Sequence, residues 1–359
     1  MAARTRSSAA SSPALWRKDK AMDFALSDEH RMLQDTLRGL LARHQGDDLW
    51  PALAEAGVIG ALLTEDEGGF DGSGSAIALT FEELGRAGAS MPLVAAMIGA
   101  SALATAGQGD LAAEVAEGSA RVAFADAEPG TRYDRGVAIS VDGDRLTGRK
   151  TMVAGAEDAR AIIVTTADAL WLVDAKAEGL TLNAYPLMEG GRGADLTFAD
   201  TPATRLGALD DFGAALSRGI LGHSAFALGG IIAASDLTLD YLKTRKQFGR
   251  AILEFQALAH RIADLAVEVE QARSAVTNLS GHLTAEPAIR DRHVQACKAT
   301  VGRVARLVAE ESVQLHGGIG MTEEYALAGM IRRLLAADTA MGDADYHLER
   351  FANGEPAWA

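Results

Sequence analysis

Apolar residues recur at helical spacing from Phe24 onward: Leu33, Leu37, Leu40 and Leu41 form one stripe behind Ser27. Ser27 is a good N-cap, and Asp28 and Glu29 suit the positive end of a helix. The same period predicts helices over 49–56, 76–87 and 91–106, with a glycine-studded loop at 64–74. From about Arg121 the period drops to two. The segments 122–125, 137–141, 161–165 and 170–173 are short, apolar or β-branched, and parted by turn residues. Asp142-Gly143-Asp144 predicts a hairpin turn. Strand signals stop after Leu206. Long helical patterns then cover 212–244, 252–284 and 286–316, with a last one near 334–352. Leu258, Ile262, Leu265, Ala266 and Val269 mark the second as an amphipathic bundle helix.

The expected class is α+β, mostly α, in three parts. An N-terminal helical domain spans 22–120, a middle β-barrel or sandwich domain 121–206, and a C-terminal four-helix bundle 207–359. Residues 1–21 are rich in Ala, Ser and basic side chains, with no acid before Asp19. They read as a disordered extension, either transit-peptide-like or simply preceding a natural start at Met22. The acidic runs at 65–67 and 210–211 read as solvated loops.

Composition narrows the chemistry. The 359 residues carry 34 Lys and Arg against 49 Asp and Glu, a net charge of −15 that disfavours nucleic acid or an anionic membrane as partner. The single cysteine, Cys297, excludes a disulfide scaffold and a cysteine-based metal site. The eight histidines form no metal-binding motif. The longest apolar stretch, near 225–235, contains Gly229 and Gly230 and reads as buried helix, so membrane insertion is not expected. A cytoplasmic setting is the default expectation.

Three motifs carry more specific chemistry. Glu82-Glu-Leu-Gly-Arg86 lies near the N-terminus, Arg245-Lys-Gln-Phe-Gly249 follows a long helix with Gln256 beyond it, and Gln314-Leu-His-Gly-Gly-Ile-Gly320 separates two helices. In this order they make the chain from Met22 to Phe351 resemble an acyl-CoA dehydrogenase. The resemblance implies FAD as cofactor, an acyl-CoA thioester as substrate, an electron-transferring flavoprotein as electron acceptor and a homo- or hetero-oligomer, dimer or tetramer. It also implies roles for single residues. Arg245 would reach the flavin pyrophosphate, to which a planar, permanent guanidinium is suited. Phe248 would pack on the flavin or adenine end, with Gln256 and Gln314 hydrogen-bonding nearby. Gly317 and Gly318 would let the backbone approach the ADP moiety.

What the resemblance leads one to expect is partly missing. The dehydrogenation needs a carboxylate base, and the two places that supply it in the family correspond here to Met341 and Gly219. Asp338 and Asp343 lie close to the first and are substitute candidates, with Asp211 a more distant one. Asp343 falls where the family has a hydroxyl near the flavin phosphates. His223, one turn beyond Gly219, is a conceivable but lesser base, and His316 reads as structural. In the middle domain, Ala127-Glu128-Pro129 and Met152-Val153-Ala154 stand where a hydroxyl and an indole are usual, and Tyr133 replaces a small residue.

The losses fall on the groups that would build the chain's own active site. The retained groups are those a family member lends to its neighbour. The expectation is therefore a subunit of a heteromeric acyl-CoA dehydrogenase of the bacterial steroid-degradation type, with the partner carrying the glutamate. The alternatives are a homo-oligomeric dehydrogenase with a displaced carboxylate and a catalytically silent scaffold on the same fold.

Overall fold

The computed structural model describes residues 26–357, so the expected extension at 1–21 lies outside the described residues. Ser27 caps the first helix as anticipated, accepting the His30 N–H at 3.1 Å. Helices α1 (Asp28–Leu41), α2 (Leu49–Glu55), α3 (Val58–Ala61), α4 (Gly74–Ala87), α5 (Leu93–Thr105) and α6 (Gly109–Ala116) form the N-terminal part. Eight strands follow: β1 (Val122–Ala125), β2 (Ile139–Asp142), β3 (Arg145–Ala154), β4 (Ala161–Thr165), β5 (Ala169–Asp174), β6 (Leu180–Pro186), β7 (Arg192–Pro202) and β8 (Thr204–Ala208). The C-terminal part holds α7 (Gly213–Thr244), a small hairpin of β9 (Lys246–Gln247) and β10 (Arg250–Ala251), then α8 (Gln256–His282), α9 (Pro287–His316), α10 (Ala326–Thr339) and α11 (Ala344–Asn353).

The eight strands make two four-stranded sheets, ordered β1-β4-β5-β8 and β2-β3-β7-β6. Only β1 and β4 pair in parallel; the β2–β3 turn is the anticipated hairpin, with Asp142 opposite Arg145. Leu146, Val153, Ile162, Val164, Trp171, Leu196 and Phe198 fill the space between the sheets. A second, larger core runs without interruption from α1 through α10 and joins both helical parts.

The Glu82-Glu-Leu-Gly-Arg86 motif has a packing explanation. A Cβ on Gly85 would strike the Phe226 carbonyl of α7, and one on Gly229 would strike the Glu82 carbonyl of α4. The two helices touch backbone to backbone, which only glycine permits. Glu83 ties α1 to the same place by accepting hydrogen bonds from Arg38 at 2.8 and 3.0 Å and from Gln34 at 2.7 Å.

Two expectations need correction, and a third, the buried apolar helix, holds. Glu67 does not lie in a solvated loop: its carboxylate accepts from Arg218 of α7 at 2.6 and 2.7 Å and from Ser101 at 2.5 Å. The last helical pattern is two helices, because Met341 (φ +57°) and Gly342 (φ +98°) both take left-handed conformations that no helix continues through. Finally, 209–244 is apolar enough by length and composition to cross a membrane. Most of its apolar window is buried, and it forms the central helix of the core, packed against α4, α5, α9 and α10.

Candidate functional site

One end of the C-terminal bundle gathers the two later motifs. At Arg245 the chain leaves α7 for extended backbone (ψ 124°) and enters the β9–β10 hairpin. The hairpin turns through Phe248 (φ +54°) and Gly249 (φ +84°), both left-handed as a two-residue turn of this kind requires. Phe248 is therefore held outward, with 90% of its surface exposed. Its ring meets only the edge of Phe255 at 6.0 Å, while the Arg250 guanidinium covers Phe255 at 4.1 Å.

A small apolar cluster of Leu242, Ile252 and Leu315 holds α7, the hairpin and α9 together beneath this surface. Tyr241 stacks on His316 at 4.5 Å, and Arg261 of α8 pairs with Glu311 of α9 at 2.6 Å. His316 is buried and bonds the Ser312 carbonyl through Nδ1 at 2.8 Å, while its Nε2 has no partner. Arg245, Phe248, Gln256, Gln314, Gly317 and Gly318 all come to this one end and all are exposed. Nothing lies within 4 Å of where a Cβ on Gly317 or Gly318 would stand, so their backbone is open to a close approach. Arg245, Lys246 and Arg250 add positive charge to an otherwise acidic chain. A fork-shaped cation, bare backbone and an exposed ring fit the phosphates and planar rings of a dinucleotide approaching from outside.

The other half of the expected site is arranged differently. Gly219, inside α7, and Met341, in the bend before α11, lie in contact: a Cβ on Gly219 would stand 3.2 Å from the Met341 sulfur. The structure thus brings the two anticipated base positions to one spot, and neither holds a proton-accepting group. The substitute aspartates are engaged elsewhere. Asp338 is buried, takes Arg306 at 2.7 Å and accepts the Ala344 N–H at 3.1 Å. Asp343 caps α11 through the Tyr346 N–H at 2.9 Å and pairs with Arg132. Burial opposes its charge, but these donors together hold its carboxyl below the ordinary range. Asp211 accepts the Ala208 N–H at 3.0 Å. Burial, with Lys298 adding repulsion, pushes His223 down to about 3, leaving it neutral.

Sequence reasoning singled out Tyr133 and Asp343 but anticipated neither their mutual contact nor the parts of Lys298 and Arg132. Lys298, fully buried on α9, donates to the Ala337 and Asp338 carbonyls at 2.6 and 2.9 Å and so closes the end of α10; burial lowers its pKa to about 8. Arg132 and Tyr133, on the β1–β2 loop, reach across to Asp343 and Tyr346, with the two tyrosine rings 5.0 Å apart. Burial and the Asp343 charge push Tyr133 up to about 12.

The altered strand segments also have structural roles. Glu128 is buried, accepts the Gly136, Val137 and Ala138 N–H groups at 2.5–2.8 Å, and pairs with the fully buried Lys150 at 2.8 Å. Met152 sits at a register shift between β3 and β7 with φ +54°, which turns its side chain outward to 60% exposure. A flavin reaching the outer edge is compatible with the residues found there. At the α11 N-terminus, by contrast, Asp343 already supplies the negative charge that caps the helix, which disfavours a phosphate at that point.

Comparison with known proteins bears on the fold and the family. The acyl-CoA dehydrogenase N-terminal domain model matches residues 27–121 and the acyl-CoA dehydrogenase C-terminal domain model residues 211–354, together well over half the chain. Acyl-CoA dehydrogenase IpdE2 of Mycolicibacterium smegmatis is 28% identical over 90% of this chain and 98% of its own length. Among solved structures, a variant of the Tcur3481–Tcur3483 steroid ACAD superposes with a TM-score of 0.83 at 28% identity, covering 91% of this chain and 97% of that one. The ChsE4–ChsE5 complex from Mycobacterium tuberculosis shares the fold, with a TM-score of 0.82 at 24% identity over 92% and 98%. With both flanking domains matched and the helix–strand–helix order reproduced, the chain belongs to the acyl-CoA dehydrogenase family.

Proposed function

We propose that this chain is the base-free subunit of an acyl-CoA dehydrogenase built from two unlike chains, and that it lends its outward edge to an FAD seated mainly on the partner. The observation that carries this reading is a split. Arg245, Phe248, Gln256, Gln314, Gly317 and Gly318 are intact and face outward, whereas Met341 and Gly219 occupy the places of a base. The paired names of the two structural relatives support an assembly of unlike chains.

In this reading Arg245 binds pyrophosphate oxygens through its guanidinium fork, and the bare Gly317-Gly318 backbone receives the ADP end. Phe248 covers a ring face and excludes water from it. The partner's carboxylate takes the α-proton of the thioester. When bound, FAD supplies the acceptor for the β-hydride, so that a Cα=Cβ double bond remains. The electrons pass on to an electron-transferring flavoprotein. A polycyclic acyl-CoA is the substrate class, in keeping with the steroid relative, and the setting is cytoplasmic.

The test is the visible flavin absorbance of the purified chain, alone and co-expressed with a second chain of this family. About one flavin per pair, with none in the chain alone, is the expected result. Full occupancy of the chain alone would refute the reading and favour a homo-oligomer. No flavin in either preparation would refute it in favour of a silent scaffold.

A further inference from the structure

We infer that His316 is a positioning residue for nucleotide capture: its ring, clasped by Tyr241 and Tyr325, ties the Arg245 turn to the Gly317-Gly318 turn and sets the spacing at which the two receive one ligand. This role rests on the donor reading above and deepens it, since it falls to a buried side chain that touches no ligand yet governs how tightly the ADP end is held.

Three short segments meet at this ring. Tyr241, on the last turn of α7, stacks on His316 at 4.5 Å with the planes 24° apart. The Tyr241 carbonyl accepts the Arg245 N–H at 2.8 Å, and the Arg245 carbonyl accepts the Ile252 N–H at 2.9 Å. The backbone that carries the guanidinium is thus pinned on both sides. Tyr325, just ahead of α10, tilts against His316 at 5.3 Å. His316 itself ends α9 and stands next to Gly317, whose φ of +64° turns the chain away from the helix. Leu242 and Leu315, the chain neighbours of the stacked pair, are buried together with Ile252.

The imidazole is locked in one orientation. A backbone carbonyl can only accept, so Nδ1 carries the proton in the 2.8 Å bond to Ser312. Burial lowers the pKa of the ring, which is therefore neutral near neutral pH. That leaves Nε2 a buried acceptor without a donor, an unfavourable arrangement that leucine or phenylalanine would avoid in a merely space-filling place. The stacking face carries the clasp, and the Nδ1 bond fixes its plane. A shift of the Arg245 turn must then move Tyr241, the imidazole and the Gly317 backbone together.

Spacing matters because pyrophosphate and adenosine are joined in one molecule. Contact points already held at the right separation bind it without the entropic cost of being aligned at that moment. At the surface the second turn has no brace of its own, for nothing lies within 4 Å of where a Cβ on Gly317 or Gly318 would stand.

Hydrogen exchange on the chain alone decides the clasp. In His316→Leu, amide exchange should rise ~10-fold in 241–252 and 312–322 together, and His316→Phe, which restores the stacking face, should bring both segments back to within about threefold of wild type. Loosening confined to 312–322, or phenylalanine no better than leucine, would overturn the inference. Should His316→Leu not fold, Tyr241→Leu removes the same stack from the other side and must loosen 312–322 as well as its own segment. The co-expressed complex, stripped of flavin, is then dialysed against FAD and against FMN, which lacks the ADP end. His316→Leu should weaken FAD about 10-fold and leave FMN unchanged, with His316→Phe recovering FAD. Equal loss of both flavins would make His316 a purely structural residue and overturn its positioning role. A wild-type complex with no affinity for FAD would sink the donor reading itself, and the nucleotide role of His316 with it, whatever the exchange result.

Discussion

The Met341 thioether and the Gly219 backbone are in contact across the face of α7, with Ile98 closing the remaining side. Replacing Gly219 by alanine forces a methyl into occupied space. Gly219→Ala should cost about 1–3 kcal/mol of stability, read as a lowered urea midpoint with an unchanged slope. Gly219→Glu, which puts a carboxylate at one of the two places where the sequence leads one to expect a base, should yield misfolded protein rather than activity. A Gly219→Ala midpoint equal to wild type would show that the contact is slack.

Arg245 stands exposed at the end of α7, in reach of a molecule outside the chain. Loss of a charge-assisted hydrogen bond costs about 1.5–3 kcal/mol, which corresponds to flavin retention weakened ~10–100-fold. Arg245→Ala in the co-expressed complex should show that loss by equilibrium dialysis. Arg245→Lys keeps the charge without the fork and should fall between. Equal flavin content in all three would remove Arg245 from the site.

The Glu67–Arg218 pair joins the N-terminal helices to α7, with both side chains largely buried. Burial by itself would raise the Glu67 pKa, yet Arg218 outweighs it and holds the carboxyl below its ordinary value. The pair's contribution is therefore present above the unfolded-state pKa and is lost as pH falls through the lower folded value. Glu67→Gln should cost about 3 kcal/mol near neutral pH and less in acid, measured by melts at several pH values. A pH-independent deficit would assign the effect to packing.

His347 is fully buried, and its Nε2–H donates to the Met341 carbonyl at 2.9 Å while Nδ1 has no partner. Burial pushes it down from 6.5 to about 4. Between those values the unfolded chain binds a proton that the folded chain refuses, so stability falls as pH drops from 6.5 towards 4. The loss is about 3 kcal/mol across that window. His347→Gln should flatten this part of the pH–stability curve, and an equally steep curve would exonerate the histidine.

The layout of the fold was legible because it rests on periodicity. Leu37 and Leu40 in α1, or Leu265 and Val269 in α8, are buried as their spacing predicts. The outward edge was singled out for a different reason: Arg245, Phe248 and Gln314 sit in short motifs that resemble those of the family, and the structure places all three at one exposed end. Contacts between distant segments were not. Glu67 in an acidic run carries no mark of Arg218, 151 positions away, and Lys150 in a strand carries no mark of Glu128. The break at Met341 was missed because a left-handed methionine runs against its own preference, and only the surroundings impose it.

Phe248 carries a consequence for how the cell must make this protein. A bulky ring held in a left-handed turn stores about 1–3 kcal/mol of backbone strain and shows water a greasy knob flanked by cations. In the proposed two-chain assembly, a copy without its partner has nothing to cover it. Unmatched molecules would then stick to one another or fall to proteases, and the proposed assembly would require supply of its two polypeptides to be kept in step. Overproducing this one by itself should raise turnover rather than yield.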